Sequence, residues 1–294
     1  MSALSGVITA MVTPFDDTGR LDRDAARRLA RHLVEHGSHG LVVAGTTGES
    51  PTLADSEKLE LLALVKTELD GAATVICGTG SNNTARAAEL TRDAARAGAD
   101  AVLVVTPYYS RPNRAGLREH FRVVAEAAED TPVVLYNIPS RCAINLSVEF
   151  MAELAAANQN IAAVKQANND EIGPVEGLDL LAGNDDIFLR TLELGGAGGI
   201  LVASHVVGNE MRAIYDGVAA GNVAGARELE AGLHPVYEAL AVTANPIPVK
   251  AALEMLGLIG GAVRLPFVPA SAQERDVVRA ALEHRGLLVG GGAG

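Results

Sequence analysis

"AVLVVTPYYSRPNRAGLREHFRVVAEAAE", residues 101–129, contains the unit that decides the fold. Its first five residues are apolar without alternation, which predicts a short strand covered on both faces. From residue 115 onward the apolar positions recur at helical spacing, which predicts an amphipathic helix. The stretch is therefore interpreted as a strand that leads into a helix.

The same unit recurs along the chain. Eight apolar runs of strand length fall at residues 6–14, 40–50, 74–82, 101–110, 132–140, 161–168, 178–185 and 199–205. Each precedes a helix-like stretch, although the run at 161–168 is followed by only a short one. This pattern predicts an α/β protein, a (β/α)8 TIM barrel. An open doubly wound sheet is the alternative, but the glycine-rich turn typical of its first strand is missing.

The alternation stops near residue 222. We therefore predict a barrel domain over residues 1–222, which contains the active site, and a C-terminal helical region over residues 223–294. That region is predicted to contain a three-helix appendage, with helices in 224–241, 247–257 and 271–286, and a flexible tail over 289–294.

Composition limits the classes of function. The chain has 294 residues, is 48% hydrophobic and carries a formal net charge of −12. An acidic chain argues against binding to nucleic acid or to an anionic membrane. Two cysteines, Cys77 and Cys142, are too few for a disulfide framework, and no HExxH or CxxC spacing indicates a metal site. With no signal peptide and no membrane-spanning run, we expect a cytoplasmic protein.

Lysine usage indicates the chemistry. The active site of such a barrel lies at the carboxyl ends of the strands. Of the four lysines, only Lys165 ends a predicted strand, whereas Lys58 and Lys66 are expected on a solvated helix face and Lys250 is interpreted as structural or surface-exposed. A neutral lysine amine can attack a ketone to form a Schiff base, which arginine cannot do. An ordinary salt-bridge partner remains the alternative for Lys165.

Hydroxyl side chains dominate the other strand ends. They are Thr46, Thr47, Tyr108, Tyr109 and Tyr136. Such groups could pass a proton to and from a Schiff base without a carboxylate, although each tyrosine singly could be a packing residue. The backbone of the TTG turn suits a substrate carboxylate, and Arg141 could bind a second one unless it is a surface arginine.

Several motifs together resemble one family. They are "GTTGES" (45–50), "VTPYYSRP" (105–112), "LYNIPSR" (135–141), "AVK" (163–165), "NPIPVK" (245–250) and "RLP" (264–266). Over nearly the whole chain the sequence resembles the dihydrodipicolinate synthase family of pyruvate-dependent Schiff-base aldolases. The resemblance implies a lyase that condenses pyruvate with aspartate 4-semialdehyde in the biosynthesis of diaminopimelate and lysine. It also implies a homotetramer built as a dimer of dimers.

The resemblance implies specific residue roles. Lys165 would form the Schiff base with pyruvate, so that no cofactor and no metal is needed. The implied proton relay consists of Tyr136, Thr46 and Tyr109, the last reaching into a neighbouring subunit. The implied substrate contacts are Thr47 and Ile200 for pyruvate, Arg141 for the semialdehyde and Gly183 for the adduct. A possible allosteric interface would include Ser50, Asn82 and Tyr108.

The segment after Lys165 departs from the family pattern. Gln166–Ala167–Asn168–Asn169–Asp170 replaces an acidic residue followed by Ala-Ser/Thr-Gly-Asp, and the connection to the next strand is short. Asp55, Lys58 and Arg86 stand where several lysine-inhibited relatives carry histidine and glutamate. Because Lys58 and Arg86 are cations that would repel a cationic ligand, we expect weak or no inhibition by lysine. A sialic-acid or 2-keto-3-deoxy-sugar-acid aldolase or dehydratase of the same superfamily is the alternative enzyme. A small-molecule sensor on the same scaffold is the non-enzymatic alternative.

Overall fold

Eight parallel strands close into a barrel in a computed structural model that describes residues 4–288. The strands are β1 Gly6–Ala10, β2 Gly40–Val43, β3 Thr74–Gly78, β4 Ala101–Val105, β5 Val133–Asn137, β6 Ile161–Gln166, β7 Asp179–Ala182 and β8 Gly198–Leu201. Each strand pairs with the next in sequence, and β8 pairs with β1. The predicted (β/α)8 barrel is confirmed.

Helices surround the barrel and continue beyond it. They are α1 Arg23–Glu35, α2 Asp55–Leu69, α3 Thr84–Arg96, α4 Arg114–Ala128, α5 Pro139–Cys142, α6 Val148–Ala157, α7 Phe188–Glu193, α8 Ser204–Ala219, α9 Val223–Leu240, α10 Ile247–Met255 and α11 Ala272–His284. Several helices have a side-chain N-cap. At the start of α1, for example, the Asp22 carboxylate accepts a 3.0 Å hydrogen bond from the backbone N–H of Ala25. Within residues 4–288, β6 and β7 are joined without an α-helix, by a 3₁₀ turn at Asn169–Glu171. The expectation of a helical partner for every strand is therefore wrong at this one connection.

The strands have two apolar faces, as the unbroken apolar runs predicted. Outward residues such as Val102 and Val164 join the main core between the sheet and the helices. Inward residues such as Val134 and Ala163 fill the interior of the barrel as a second cluster. Side chains alternate along a strand with period two, so Lys165 follows Ala163 on the inward face of β6.

The three predicted C-terminal helices are α9, α10 and α11. Helix α9 packs against α8 and α11, and α10 packs against α11. The domain boundary at residue 222 stays a prediction, and the tail predicted over residues 289–294 lies outside the described residues. None of the helices within residues 4–288 combines the length and apolar character needed to cross a membrane.

Candidate active site

Lys165 and Tyr136 lie side by side in the interior of the barrel. They are paired in the register of β5 and β6, and each residue is only 4% exposed. The Lys165 Nζ lies 4.3 Å from the centroid of the Tyr136 ring. Because neighbouring parallel strands place paired residues on the same face, the phenol and the amine are held together by the sheet itself.

The environment of Lys165 favours a neutral amine. Burial, opposed by the Asp185 carboxylate and assisted by the Arg141 cation, lowers its pKa to about 7. A free amine is the form that attacks a carbonyl carbon. The predicted nucleophile is therefore buried in the interior with a pKa suited to neutral pH.

Tyr136 remains a phenol at neutral pH. Burial raises its pKa to about 12, while a hydrogen bond with Thr46 and the charge of Arg141 act in the opposite direction. Thr46 lies in the turn that follows β2. Two of the three predicted relay hydroxyls, those of Tyr136 and Thr46, are thus brought together beside Lys165.

The "GTTGES" turn is fixed by buried polar contacts. Glu49 adopts a left-handed conformation with φ 56°, and its buried carboxylate accepts 2.5 Å and 2.9 Å hydrogen bonds from Lys250 Nζ and from the Arg264 backbone N–H. Lys250 is itself fully buried and also donates to the Ala262 carbonyl at 2.7 Å. Lys250 is therefore structural, one of the two readings that the sequence left open.

Thr47, within this turn, is held by a residue that the sequence analysis did not single out. Thr47 is 2% exposed, and its hydroxyl accepts a 3.0 Å hydrogen bond from Asn245 Nδ2. Asn245 precedes α10 in the C-terminal region. Inspection of strand ends alone could not find it, because it arrives from a part of the chain outside the strand–helix repeat.

A cavity of about 500 Å³ opens over Lys165 at the carboxyl ends of the strands. Six predicted site residues line it: Thr46, Thr47, Tyr136, Arg141, Lys165 and Gly183. Gly183 lies so close to the Gln166 carbonyl that an added Cβ would stand 2.6 Å from it. Ile200 is fully buried in the interior cluster with Tyr136, and it is not among the described residues that line this cavity.

Two further cavity residues were not singled out from the sequence. Asp185 stands at a recognised strand end, after β7, but only the neighbouring Gly183 was chosen there. Tyr237 reaches the same cavity from α9. Among residues 4–288, no group of three or more histidine, cysteine, aspartate or glutamate side chains is arranged to hold a metal ion.

The segment that departs from the family pattern contributes little to the cavity. Gln166 is fully buried, and its Oε1 accepts hydrogen bonds from Asn137 Nδ2 at 3.0 Å and from the Asn168 N–H at 3.1 Å. It therefore connects strand ends rather than facing a substrate. Of residues 166–170, only Asn169 lines the cavity, where it accepts a 2.7 Å hydrogen bond from Asn184.

The paired tyrosines have different environments. Tyr109 is 90% exposed and adopts a left-handed conformation with φ 71°, which non-glycine residues rarely occupy. Tyr108 is half-buried and lines a second cavity of about 300 Å³. That cavity shares Thr46, Tyr136 and Arg141 with the first. The structure therefore places Tyr108 in the cavity that borders Thr46 and Tyr136, and leaves Tyr109 projecting outward.

The second cavity also contains two cations. Ser50, Lys58 and Arg86 line it, whereas Asn82 is exposed and does not. The expectation of a solvated Lys58 is wrong: the residue is 5% exposed, its Nζ lies 3.5 Å from Asp55 Oδ1, and burial lowers its pKa. Arg86 donates to both oxygens of the same carboxylate, at 2.8 Å and 2.9 Å. Lys66 pairs at 2.8 Å with Asp100, which precedes β4, and not with the acidic residues of its own helix that the sequence suggested.

Comparisons with known proteins agree with this geometry. The model of the dihydrodipicolinate synthetase family matches residues 3–285. A 4-hydroxy-tetrahydrodipicolinate synthase from Moorella thermoacetica is 47% identical over 290 residues, which cover 96% of this chain and 98% of that relative. The crystal structure of the enzyme from Cyanidioschyzon merolae with lysine bound has a TM-score of 0.94 and 41% identity, covering 98% of this chain and 100% of that one.

A third relative is a monomer. It is described as the first monomeric dihydrodipicolinate synthase variant, and its structure matches with a TM-score of 0.93 and 38% identity over 97% of this chain and 98% of its own. Fold, sequence and family model agree over nearly the entire chain. The chain belongs to the dihydrodipicolinate synthetase family.

Proposed function

We propose that this protein is a lyase that condenses pyruvate with aspartate 4-semialdehyde to give 4-hydroxy-tetrahydrodipicolinate. The observation that carries the proposal is the buried Lys165, whose pKa is lowered to about 7 beside the protonated phenol of Tyr136. This arrangement provides a nucleophile and a proton donor within one cavity. The product would serve the biosynthesis of diaminopimelate and lysine.

The first half of the reaction uses pyruvate. The neutral Nζ of Lys165 adds to the keto carbon, and loss of water leaves a protonated imine. That iminium withdraws electrons, so a methyl proton of pyruvate can leave and an enamine forms. Tyr136, supported by Thr46, is the proposed donor and acceptor for these transfers. Because the iminium is the electron sink, the proposed chemistry needs no separate cofactor.

The second half uses the semialdehyde. The enamine carbon attacks the aldehyde, and the resulting alkoxide takes up a proton. The amino group of the semialdehyde then attacks the iminium carbon, which releases Lys165 and closes the ring. Arg141, at the rim shared by both cavities, is the proposed ligand of the semialdehyde carboxylate, and the turn at Thr47 is proposed to hold the pyruvate carboxylate. Ile200, buried in the interior cluster with Tyr136, is proposed to support the pyruvate pocket, and the Gly183 region is proposed to contact the adduct.

We also propose that the working form is a homotetramer in which Tyr109 enters the site of a neighbouring subunit. Its exposure of 90% and its left-handed backbone support this proposal, because a tyrosine held in such a conformation is well placed to insert into a partner. Sedimentation velocity of the purified chain measures the assembly. A Tyr109→Ala variant is expected to lose activity, and a fully active monomer would contradict the proposal.

The decisive experiment traps the intermediate. The protein is incubated with pyruvate, reduced with borohydride, and weighed intact and after digestion. A reduced pyruvyl adduct on Lys165 is expected, and none on the Lys165→Arg variant, which keeps the charge but loses the nucleophile. A coupled assay then compares aspartate 4-semialdehyde with sugar-acid substrates. No adduct, or turnover only of sugar acids, would reject the proposed function.

A further inference from the structure

Asp185 is a carboxylate that the proposed reaction has so far not used. It follows β7 at the start of a short 3₁₀ turn, Asp185–Ile187. Its Oδ1 accepts hydrogen bonds from the backbone N–H groups of Val202 and Ala203, at 2.9 Å and 3.1 Å. Those residues follow β8, so the carboxylate is clamped between the ends of two strands.

The clamp leaves one oxygen for the cavity. Within residues 4–288 the two backbone groups are the only hydrogen-bond donors to this carboxylate, and both go to Oδ1. Asp185 lines the same cavity as Lys165. A charged group can act on Lys165 in a defined way only if its own position is fixed, and the two backbone hydrogen bonds fix Asp185.

Charges from several elements surround this carboxylate. Lys165 from β6 attracts it, while the adjacent Asp186 repels it. Glu230 and Tyr237 from α9 lie close enough for Asp185 to raise the pKa of each. Arg141, from α5, acts on the Lys165 amine in the direction opposite to Asp185. Among the charged groups that act on Lys165, Asp185 is therefore the one that favours the cation.

The reaction creates a need for such a group. A buried ammonium can escape the cost of burial by losing its proton, but the imine is an electron sink only while it is protonated. The interior around Lys165 is apolar: Leu181 is its partner in the register of β6 and β7, and Val134, Ala163 and Leu181 belong to the interior cluster that contains Tyr136. Without a nearby negative charge, burial would drive the protonated imine toward its unreactive neutral form.

We propose that Asp185 is the counter-charge of the Lys165 nitrogen, first of the ammonium and then of the pyruvyl iminium; this rests on the proposed function. In the step concerned, neutral Nζ forms a bond to the keto carbon of pyruvate, the keto oxygen departs as water, and one proton is taken up from solvent. Asp185 exchanges no atom. It stabilises the positive charge that the step creates, from a position fixed by β8.

The Asp185→Asn variant tests this role. An amide oxygen can accept the same two backbone hydrogen bonds, so the fold is expected to persist and only the charge is lost. Samples incubated with pyruvate at a series of pH values are quenched into borohydride at one fixed pH and weighed. Removing one opposite charge typically shifts a pKa by about one unit or more, so the midpoint of adduct formation should move to lower pH by about one unit.

The same variant should bind pyruvate less well. Because the iminium loses its counter-charge, the KM for pyruvate above the midpoint should rise about ten-fold for each unit of pKa lost. Asp185→Glu, which restores the charge, should return the midpoint toward that of the wild-type protein. Glu176→Gln makes the same change of net charge at an exposed position and should leave both quantities unchanged.

The outcomes separate this inference from the proposed function. If the wild-type protein forms no adduct on Lys165, the proposed function fails. If the wild-type protein forms the adduct and Asp185→Asn has the same midpoint and KM, the inference alone is overturned. Circular dichroism measures the fold, and an unfolded Asp185→Asn protein would also overturn it, since the charge would then be needed for folding. A lower yield without a shifted midpoint would indicate a structural role and reject the assignment.

Discussion

The titration of Lys165 is the sharpest prediction that the structure makes. The perturbation is pH, and the observable is the initial rate at which pyruvate becomes attached to the enzyme. Burial and the Arg141 cation lower the pKa of Lys165 from 10.5 to about 7, against the attraction of Asp185. Burial of a cation without full compensation favours its neutral form, so the free amine should be present at far lower pH than in an exposed lysine.

The pKa of Lys165 determines the fraction of neutral amine and therefore the pH dependence of the rate. At pH 7 an unperturbed lysine is neutral in about one molecule in 3,000, whereas a lysine with a pKa of about 7 is neutral in about half of the molecules. The rate of adduct formation should therefore rise about ten-fold per pH unit on the acid side and level off above about pH 7. The ammonium form dominates below the midpoint, and no further gain is available above it.

The assay samples the reaction before it reaches equilibrium. Aliquots at pH values from roughly 5 to 9.5 are quenched into borohydride at one fixed pH, so that the reduction step is identical for all samples. A rate that continues to climb ten-fold per unit up to pH 9.5 would show an ordinary lysine and refute the reasoning. The Arg141→Gln variant tests the opposite direction. Because Arg141 lowers the pKa of Lys165, its removal should move the midpoint to higher pH, whereas Asp185→Asn should move it to lower pH.

Three further predictions concern other parts of the site. Tyr136→Phe should lower kcat by about 10²- to 10⁴-fold in the coupled assay while the pyruvate adduct still forms, because it removes only the proton donor; an unchanged kcat would contradict this. Glu49→Gln should reduce the free energy of unfolding in urea by about 3–5 kcal/mol, because Lys250 is left buried without a counter-charge. The exposed Glu126→Gln should change it by less than about 0.5 kcal/mol, and equal effects would refute the argument. Sub-millimolar lysine should leave turnover almost unchanged, because Lys58 and Arg86 line the second cavity and disfavour a cation, whereas strong inhibition would reject this explanation.

The strand count and the place of Lys165 at a strand end were predictable because both are local patterns. Unbroken apolar runs such as 101–105 and 161–164 can be buried on both faces only within a parallel sheet covered by helices. Once the barrel is predicted, the rule that chemistry lies at strand ends selects Lys165, Tyr136 and Thr46. The structure brings these three together in one cavity.

The residues that sequence reasoning misjudged or did not single out depend on long-range packing. Lys58 was interpreted from its acidic neighbours as solvated, but the packing around α2 buries it against the second cavity. Tyr237 comes from α9 and Asn245 from the connection between α9 and α10, and no local pattern indicates which end of the barrel this C-terminal region approaches. Asp185 was visible at a strand end, but its fixed position depends on two backbone N–H groups from the segment that follows β8, and only the closed barrel brings that segment beside it.

The sequence by itself determined the fold and the identity of the proposed nucleophile, because hydrophobic periodicity and residue type are properties of short segments. The tertiary structure decided how that nucleophile is tuned. The pKa of Lys165, in β6, is set by burial, by the cation of Arg141 and by the carboxylate of Asp185. Arg141 comes from α5 and Asp185 from the turn after β7, so both lie far from Lys165 along the chain. Electrostatic interactions depend on distances through space and on the exclusion of water, and neither can be read from the order of residues along the chain.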